Sequence, residues 1–151
     1  MSDTTKRTTA ELNTTFLLFI TARQLIKKYQ EELDKVQLSY FEYLVLLALP
    51  DGKDEGMTIT QICTTIHIEP GSISPYIKNL CTKKLVFKRH NKRDKRSFIV
   101  KLTNEGKEMK AKMEELEKTI LEKSSLDIGQ AEDIGDKVFG YYKEVYKNEK
   151  Y

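Results

Sequence analysis

The hydrophobic positions of this chain recur at helical spacing over much of its length. Between residues 10 and 36 apolar side chains return every three or four positions, which predicts a long amphipathic helix. An almost continuous apolar run at 40–49 predicts a second, buried helix, with Ser39 at its N-cap and Glu42 completing a capping box. The polar, glycine-containing segment 50–56 then predicts a loop.

The middle of the chain has the pattern of two short helices joined by a turn. Thr58 stands where it can cap a helix over residues 59–65, whose isoleucines share one face. A turn at 67–71 leads into a helix, counted from Gly71, that begins with small hydroxyl side chains. Two short helices arranged in this way are typical of a helix-turn-helix.

Two further segments predict a β-hairpin. Residues 85–90 and 97–102 alternate between apolar and polar side chains, and the polar segment 91–96 separates them. A period of two is typical of strands with one buried face. A hairpin that follows a helix-turn-helix is a wing, so this part of the chain predicts a winged helix-turn-helix.

Two helical segments complete the pattern. Thr103 is placed to cap the first, although Gly106 is an unfavourable residue so early in a helix. The second begins near residue 127 and carries an apolar stripe that includes Ile134, Val138 and Val145. Its three glycines each weaken it by up to about 1 kcal/mol relative to alanine, so packing against another surface must stabilise it. The first and last helices are therefore the predicted dimerisation region.

The basic side chains are concentrated in one segment. Residues 83–96 contain eight Lys or Arg residues and one acid, a local net charge of +7. The rest of the chain has 18 basic and 22 acidic side chains, a net charge of −4, so the overall charge of +3 hides this segregation. A concentrated positive segment attracts the phosphate backbone of nucleic acids, whereas an ordinary solvated charged surface is the alternative explanation.

These patterns predict a mainly α (α+β) fold, a winged helix-turn-helix with N- and C-terminal dimerisation helices. We expect residues 1–9 to be flexible and residues 37–103 to form the DNA-binding lobe. Residues 10–36 and 104–151 are expected to form the helical dimerisation region of the same compact chain.

Composition excludes several other classes of protein. No apolar segment is long enough to cross a membrane, and the first residues lack the apolar segment of a signal peptide, so we expect a cytoplasmic protein. Two cysteines and two histidines indicate neither a disulfide framework nor a metal site. A phosphate-binding glycine loop and a catalytic triad are both missing from the sequence, so we predict neither an enzyme nor a cofactor.

Two motifs resemble the multiple-antibiotic-resistance regulator (MarR) family. Residues 94–106, DKRSFIVKLTNEG, are similar to its wing signature of D-x-R, an aliphatic residue, L-T and a nearby glycine. Residues 71–80, GSISPYIKNL, are similar to the recognition helix of the OhrR/MgrA/SarZ branch, and residues 38–46 are similar to its second helix. The resemblance covers about residues 10–148.

The resemblance implies that the helix from Gly71 enters the major groove of double-stranded DNA. It also implies that Arg96 reaches the minor groove, with Asp94 holding the guanidinium group. The predicted DNA-binding residues are Ser72, Ser74, Pro75, Tyr76, Lys78, Lys83, Lys84, Arg93, Lys95 and Arg96.

Several of these residues have simpler explanations. Instead of contacting DNA, Ser72 could serve only as a helix cap, and Tyr76 could pack inward. Lys83 and Lys84 are equally well explained as solvent-exposed charges at a helix C-terminus.

The chain departs from the branch that it resembles in the first helix. Peroxide-sensing members carry a reactive cysteine before an aromatic residue, and here Thr15 stands at that position. Threonine has no thiolate chemistry, so this kind of sensing is not available. Tyr29 and Tyr40 match positions whose side chains hydrogen-bond the sensor sulfur in that branch. Three roles are open for them here: they hold Thr15, they line an effector pocket, or they are ordinary core tyrosines.

Cys63 and Cys81 lie on the two helices of the predicted helix-turn-helix. Oxidation of either thiol would shift the recognition helix, and the lysines near Cys81 make it the better candidate if it is exposed. The alternative is that each cysteine is a small buried hydrophobic residue.

We therefore predict a sequence-specific DNA-binding transcription regulator. The hypothesis is a homodimeric repressor that a small molecule or an oxidant releases from a pseudo-palindromic operator. The alternative is an effector-independent architectural or non-specific DNA-binding protein, whose affinities for specific and unrelated duplexes would be nearly equal.

Overall fold

The fold was analysed in a computed structural model, which describes residues 13–52, 56–124 and 127–147. The chain divides into two units, one ending at Tyr40 and the other beginning at Phe41. The segment 1–9, predicted to be flexible, lies outside the described residues.

The first unit contains helix α1 (Thr14–Leu33) and a 3₁₀ turn (Asp34–Val36). Asn13 caps α1, because its side-chain oxygen accepts a hydrogen bond of 2.9 Å from the backbone N–H of Phe16. After the turn, the Gln30 side chain donates to the carbonyl oxygen of Leu38 and accepts from the N–H of Tyr40, both at 3.0 Å. The long first helix predicted by the apolar spacing is therefore present, and the Gln30 side chain helps to hold the segment that follows it.

The helices that follow are close to those predicted. Thr58 caps the third helix with a full capping box, in which Gln61 is the reciprocal partner. The helices are α2 (Tyr40–Ala48), α3 (Ile59–Ile66), α4 (Pro70–Thr82), α5 (Asn104–Glu122) and α6 (Ile128–Val145). Thr103 and Asp127 cap α5 and α6 with their side chains, as hydroxyl and carboxylate groups do at helix N-termini.

Three short strands form an antiparallel sheet in the second unit. They are β1 (Met57–Thr58), β2 (Val86–His90) and β3 (Phe98–Leu102), in the order β1-β3-β2. Val86 lies opposite Leu102 and His90 opposite Phe98, which is the predicted hairpin. The mainly α winged helix-turn-helix architecture is thus confirmed.

The junction between α4 and α5 depends on Gly106. Lys84 adopts a left-handed conformation (φ 59°) that ends α4, and Leu85 N–H then donates to the Leu80 carbonyl at 3.0 Å. The Thr103 hydroxyl donates to the Lys84 carbonyl oxygen at 2.7 Å. A Cβ on Gly106 would lie 1.9 Å from the Leu85 carbonyl oxygen, so the backbones meet this closely only because residue 106 is glycine.

A buried lysine joins α5 to the end of α2. Lys110 Nζ donates to the Leu49 carbonyl oxygen at 2.7 Å and lies 3.3 Å from the Asp51 carboxylate. A cation is favourable at this position, because the carbonyl groups at a helix C-terminus carry partial negative charge. Lys110 therefore fixes α5 against the end of α2.

Candidate nucleic-acid interface

Helix α4 presents small and polar side chains on one face. Ile73, Ile77 and Leu80 are fully buried, and their spacing of four and three residues places them on a single inward stripe. The opposite face is exposed and contains Ser72, Ser74, Pro75 and Lys78. Four of the five predicted readout residues on this helix thus lie together on its outward face.

Tyr76 lies at the edge of that face. Its side chain is half-buried, and its ring stacks on Phe41 of α2 with centroids 5.1 Å apart. The ring therefore packs against the second unit, as the inward-packing alternative expects, and the contact of Tyr76 with DNA stays a prediction. Phe41 is the residue that orients it, although the apolar run 40–49 did not single it out.

The wing turn is held by its own polar side chains. The Asn91 N–H donates to the Ser97 carbonyl oxygen at 2.9 Å, and the Asn91 side-chain oxygen accepts from the N–H of Arg93 at 3.0 Å. The Ser97 hydroxyl donates to the Asp94 carbonyl oxygen at 3.0 Å. These local bonds give the turn a defined shape while Arg93 and Lys95 remain exposed.

Asp94 is positioned to organise Arg96. One carboxylate oxygen accepts a 3.0 Å hydrogen bond from the Arg96 N–H and lies 3.6 Å from its Nε. The Arg96 side chain is otherwise 96% exposed, so its guanidinium group projects from the wing. The contact that the predicted supporting role of Asp94 requires is present.

Lys83 and Lys84 differ sharply. Lys83 Nζ forms a 2.8 Å ion pair with Glu42, a carboxylate that is only 2% exposed. Lys84 is exposed and lies where the backbone turns away from α4. From the sequence, Glu42 was predicted only to complete a helix cap. An acidic residue within an otherwise apolar helix is the signal that would have indicated a buried ion pair.

The first-helix candidates are separated along α1. Thr15 lies in the first turn of α1 and Tyr29 near its end, 14 residues further on, which corresponds to about 21 Å of helix. The rings of Tyr29 and Tyr40 meet edge to face with centroids 5.9 Å apart. Within one chain the two tyrosines therefore form a pair, and Tyr29 is too far away to hold Thr15.

The two cysteines have different environments. Cys63 is buried in α3, and this burial raises the pKa of its thiol above the ordinary value. Cys81 is half-buried near the end of α4. Since the thiolate is the reactive form, Cys81 remains the better candidate for oxidation.

The described residues contain no group of three or more His, Cys, Asp or Glu side chains that could hold a metal ion. None of the helices in the described ranges is both long enough and apolar enough to span a membrane.

The chain is similar to known transcription regulators in sequence and in fold. Residues 25–113, more than half of the chain, match the family described as transcriptional regulator SarA/Rot. The HTH-type transcriptional regulator SarZ of Staphylococcus saprophyticus is 28% identical over 129 residues, which cover 85% of this chain and 87% of SarZ.

Two solved structures have the same fold. MepR of Staphylococcus aureus in complex with DNA matches with a TM-score of 0.71 at 18% identity, over 88% of this chain and 98% of MepR. MarR of the same species, in complex with salicylate and kanamycin, matches with a TM-score of 0.69 at 21% identity, over 89% and 92%.

These matches agree with the architecture described above and with the prediction of a regulator rather than an enzyme. The predicted MarR-type winged helix is confirmed by the fold comparisons, and the sequence match identifies the family within which it occurs. The chain belongs to the transcriptional regulator SarA/Rot family and is a DNA-binding transcription regulator with a MarR-type winged helix-turn-helix.

Proposed function

We propose that this regulator is a homodimeric repressor that binds a pseudo-palindromic operator. The observation that carries the proposal is the outward face of α4, where Ser72, Ser74 and Lys78 are exposed beside a strongly basic wing. Small side chains let a helix approach the base edges of the major groove, and lysine and serine donate to bases or phosphates there. Arg96 on the wing suits the negative potential of a narrow minor groove.

Exposed apolar side chains on the terminal helices support dimerisation. On α6, Ile134, Val138, Tyr141 and Val145 follow one another at helical spacing, and all four are exposed in the single chain. On α1, large apolar side chains such as Phe19, which is 62% exposed, also face solvent. Contiguous apolar surfaces of this kind are typical of protein interfaces, and a second copy of the chain is the proposed partner.

Helix α6 also contacts the helix-turn-helix. The Tyr142 hydroxyl lies 3.0 Å from His67 Nε2, and the two rings meet edge to face. His67 ends α3 in a left-handed conformation (φ 52°), directly before the turn into α4. A rearrangement of α6 at a dimer interface would therefore act on the turn that positions the recognition helix.

We propose that an effector releases the operator through such a rearrangement. A small molecule is one candidate, and the complex of Staphylococcus aureus MarR with salicylate and kanamycin supports it. Oxidation of Cys81 is the other candidate, because Cys63 is buried and Thr15 has no thiol. The predicted site residues Tyr29 and Tyr40 remain candidates for lining a small-molecule pocket.

Selection of bound duplexes from a random pool tests the proposal. The selected duplexes should contain inverted half-sites whose centres lie about one helical turn, roughly 34 Å, apart, because the two recognition helices of a dimer are related by two-fold symmetry. Sedimentation of the free protein should show a dimer. Recovery of no common motif, with equal affinity for unrelated duplex, would instead establish the architectural, effector-independent alternative.

Arg96→Ala is expected to lower operator affinity by about tenfold and to reduce discrimination between operator and unrelated DNA, because a minor-groove contact is lost. Lys95→Ala removes the same charge from the same turn and should weaken binding to all sequences by a smaller, uniform factor. Both affinities are measured by fluorescence anisotropy at fixed salt. Equal behaviour of the two variants would contradict a reading role for Arg96.

A further inference from the structure

A basic cleft of about 620 Å³ lies at the base of the wing, beside the N-terminus of α3. It is lined by side chains from two separate parts of the second unit. Those that matter for its chemistry are Thr58, Gln61, Arg89, Asn91, Lys92 and Arg93. Three of these six residues are cations, and none of the described residues that line the cleft is an acid.

Arg89 has an unsatisfied donor in this cleft. Its Nε is buried and has no hydrogen-bond partner among the described residues. The Arg89 side chain as a whole is half-buried, but a buried N–H donor without an acceptor is unfavourable. The position therefore favours a bound acceptor of negative charge.

The geometry of the strands explains why Arg89 differs from the neighbouring lysine. Successive side chains on β2 point to opposite faces of the sheet. Arg89 lies opposite Ile99 of β3, which also lines the cleft. Lys88 lies on the other face, where its Nζ is 5.6 Å from the centre of the Phe98 ring.

We infer that this cleft binds an oxyanion, a phosphate or carboxylate group, with Arg89 as the central donor and Lys92 and Arg93 as supporting cations. A guanidinium group matches such groups because its N–H donors form a planar fork. The anion has two possible sources, a phosphate of the DNA backbone beside the wing or a free anionic small molecule. Only the first source rests on the proposed function.

The first arm of the test uses inorganic phosphate without DNA. Phosphate is titrated into the full-length protein while the Arg89 Nε–H signal is followed by NMR, and a saturable shift is expected if free anions bind. Arg89→Gln should abolish the saturable response at Lys92 and Arg93. Lys88→Gln, which removes one charge from the opposite face, should leave it intact.

The second arm measures operator affinity against salt concentration. If a DNA phosphate occupies the cleft, Arg89→Gln should weaken binding about tenfold and reduce the salt slope by about 0.9. Arg89→Lys should keep the slope, and its thermal melting shows whether a change at this position disturbs the fold. Lys88→Gln should weaken binding less than Arg89→Gln.

The two arms separate the possible outcomes. A saturable phosphate response establishes a site for free anions, and a reduced salt slope without that response establishes a backbone-phosphate contact. If Arg89→Gln and Lys88→Gln behave alike in both arms, the inference is overturned. Failure of the wild-type protein to select an operator would count against the proposed function, while the phosphate titration would still decide whether the cleft binds anions.

Discussion

Gly106→Ala is expected to destabilise the protein by about 1–3 kcal/mol or more, the range found when atoms are forced into a packed interior. The added Cβ would lie 1.9 Å from the Leu85 carbonyl oxygen, far inside van der Waals contact. That carbonyl is not free to move, because it accepts a 3.0 Å hydrogen bond from the Thr103 N–H. The free energy of unfolding is measured by urea denaturation followed by circular dichroism, at one fixed protein concentration.

Gly71→Ala is the matched control for this substitution. Gly71 also lies in the first turns of a helix, but an added Cβ there would meet no heavy atom within 4 Å. Because alanine is the better helix former, this variant should be unchanged or more stable by up to about 1 kcal/mol. If Gly106→Ala were as stable as Gly71→Ala, this would show that α5 does not approach the segment after α4 as closely as described.

Lys83→Met is expected to destabilise the protein by about 1–3 kcal/mol. Its ammonium group lies 2.8 Å from Glu42, and the substitution leaves that carboxylate buried without its cation. Breaking fully buried pairs costs about 3–5 kcal/mol, but here the Lys83 side chain is 32% exposed, so water lowers the cost. The measurement is again urea denaturation.

Lys84→Met provides the comparison for Lys83. The two lysines are adjacent and each substitution removes one charge, but among the described residues only Lys83 is ion-paired with Glu42. We expect Lys84→Met to change the free energy of unfolding by less than about 0.5 kcal/mol. The double variant Lys83→Met with Glu42→Gln should recover part of the loss, because the buried negative charge is removed together with its cation. Equal losses in the free energy of unfolding for Lys83→Met and Lys84→Met would show that the ion pair with Glu42 does not stabilise the protein.

The predictable parts of the fold were those with local signals. Thr58 and Thr103 are helix caps because their hydroxyl groups accept from backbone N–H groups three residues further on, and both were identified from sequence. The hairpin followed from the alternation of its two strands and from the polar turn between them. These features depend on neighbours within a few residues, so the order of side chains is sufficient to specify them.

The candidate site was predictable only in part. The exposed positions of Ser72, Ser74 and Lys78 follow from helical periodicity once the inward stripe of α4 is known. The ion pair of Lys83 joins residues 41 positions apart, and its partner resembled a capping residue in the sequence. Nothing in the spacing of the basic segment distinguished Arg89, whose Nε is buried only in the folded chain.

The sequence by itself determined the winged helix-turn-helix, its basic wing and its resemblance to MarR-type regulators. Hydrophobic periodicity, helix caps and charge depend only on residues that are close together in the sequence. Only the tertiary structure decided that Gly106 meets the Leu85 backbone, that Lys83 neutralises Glu42 and that Arg89 faces a cleft. Each of these depends on which residues, distant in the sequence, come together in the folded chain. Burial and close contact change the free energy of a charged group or a methyl group by kilocalories per mole. Neighbouring residues in the sequence do not specify which groups are buried or in contact.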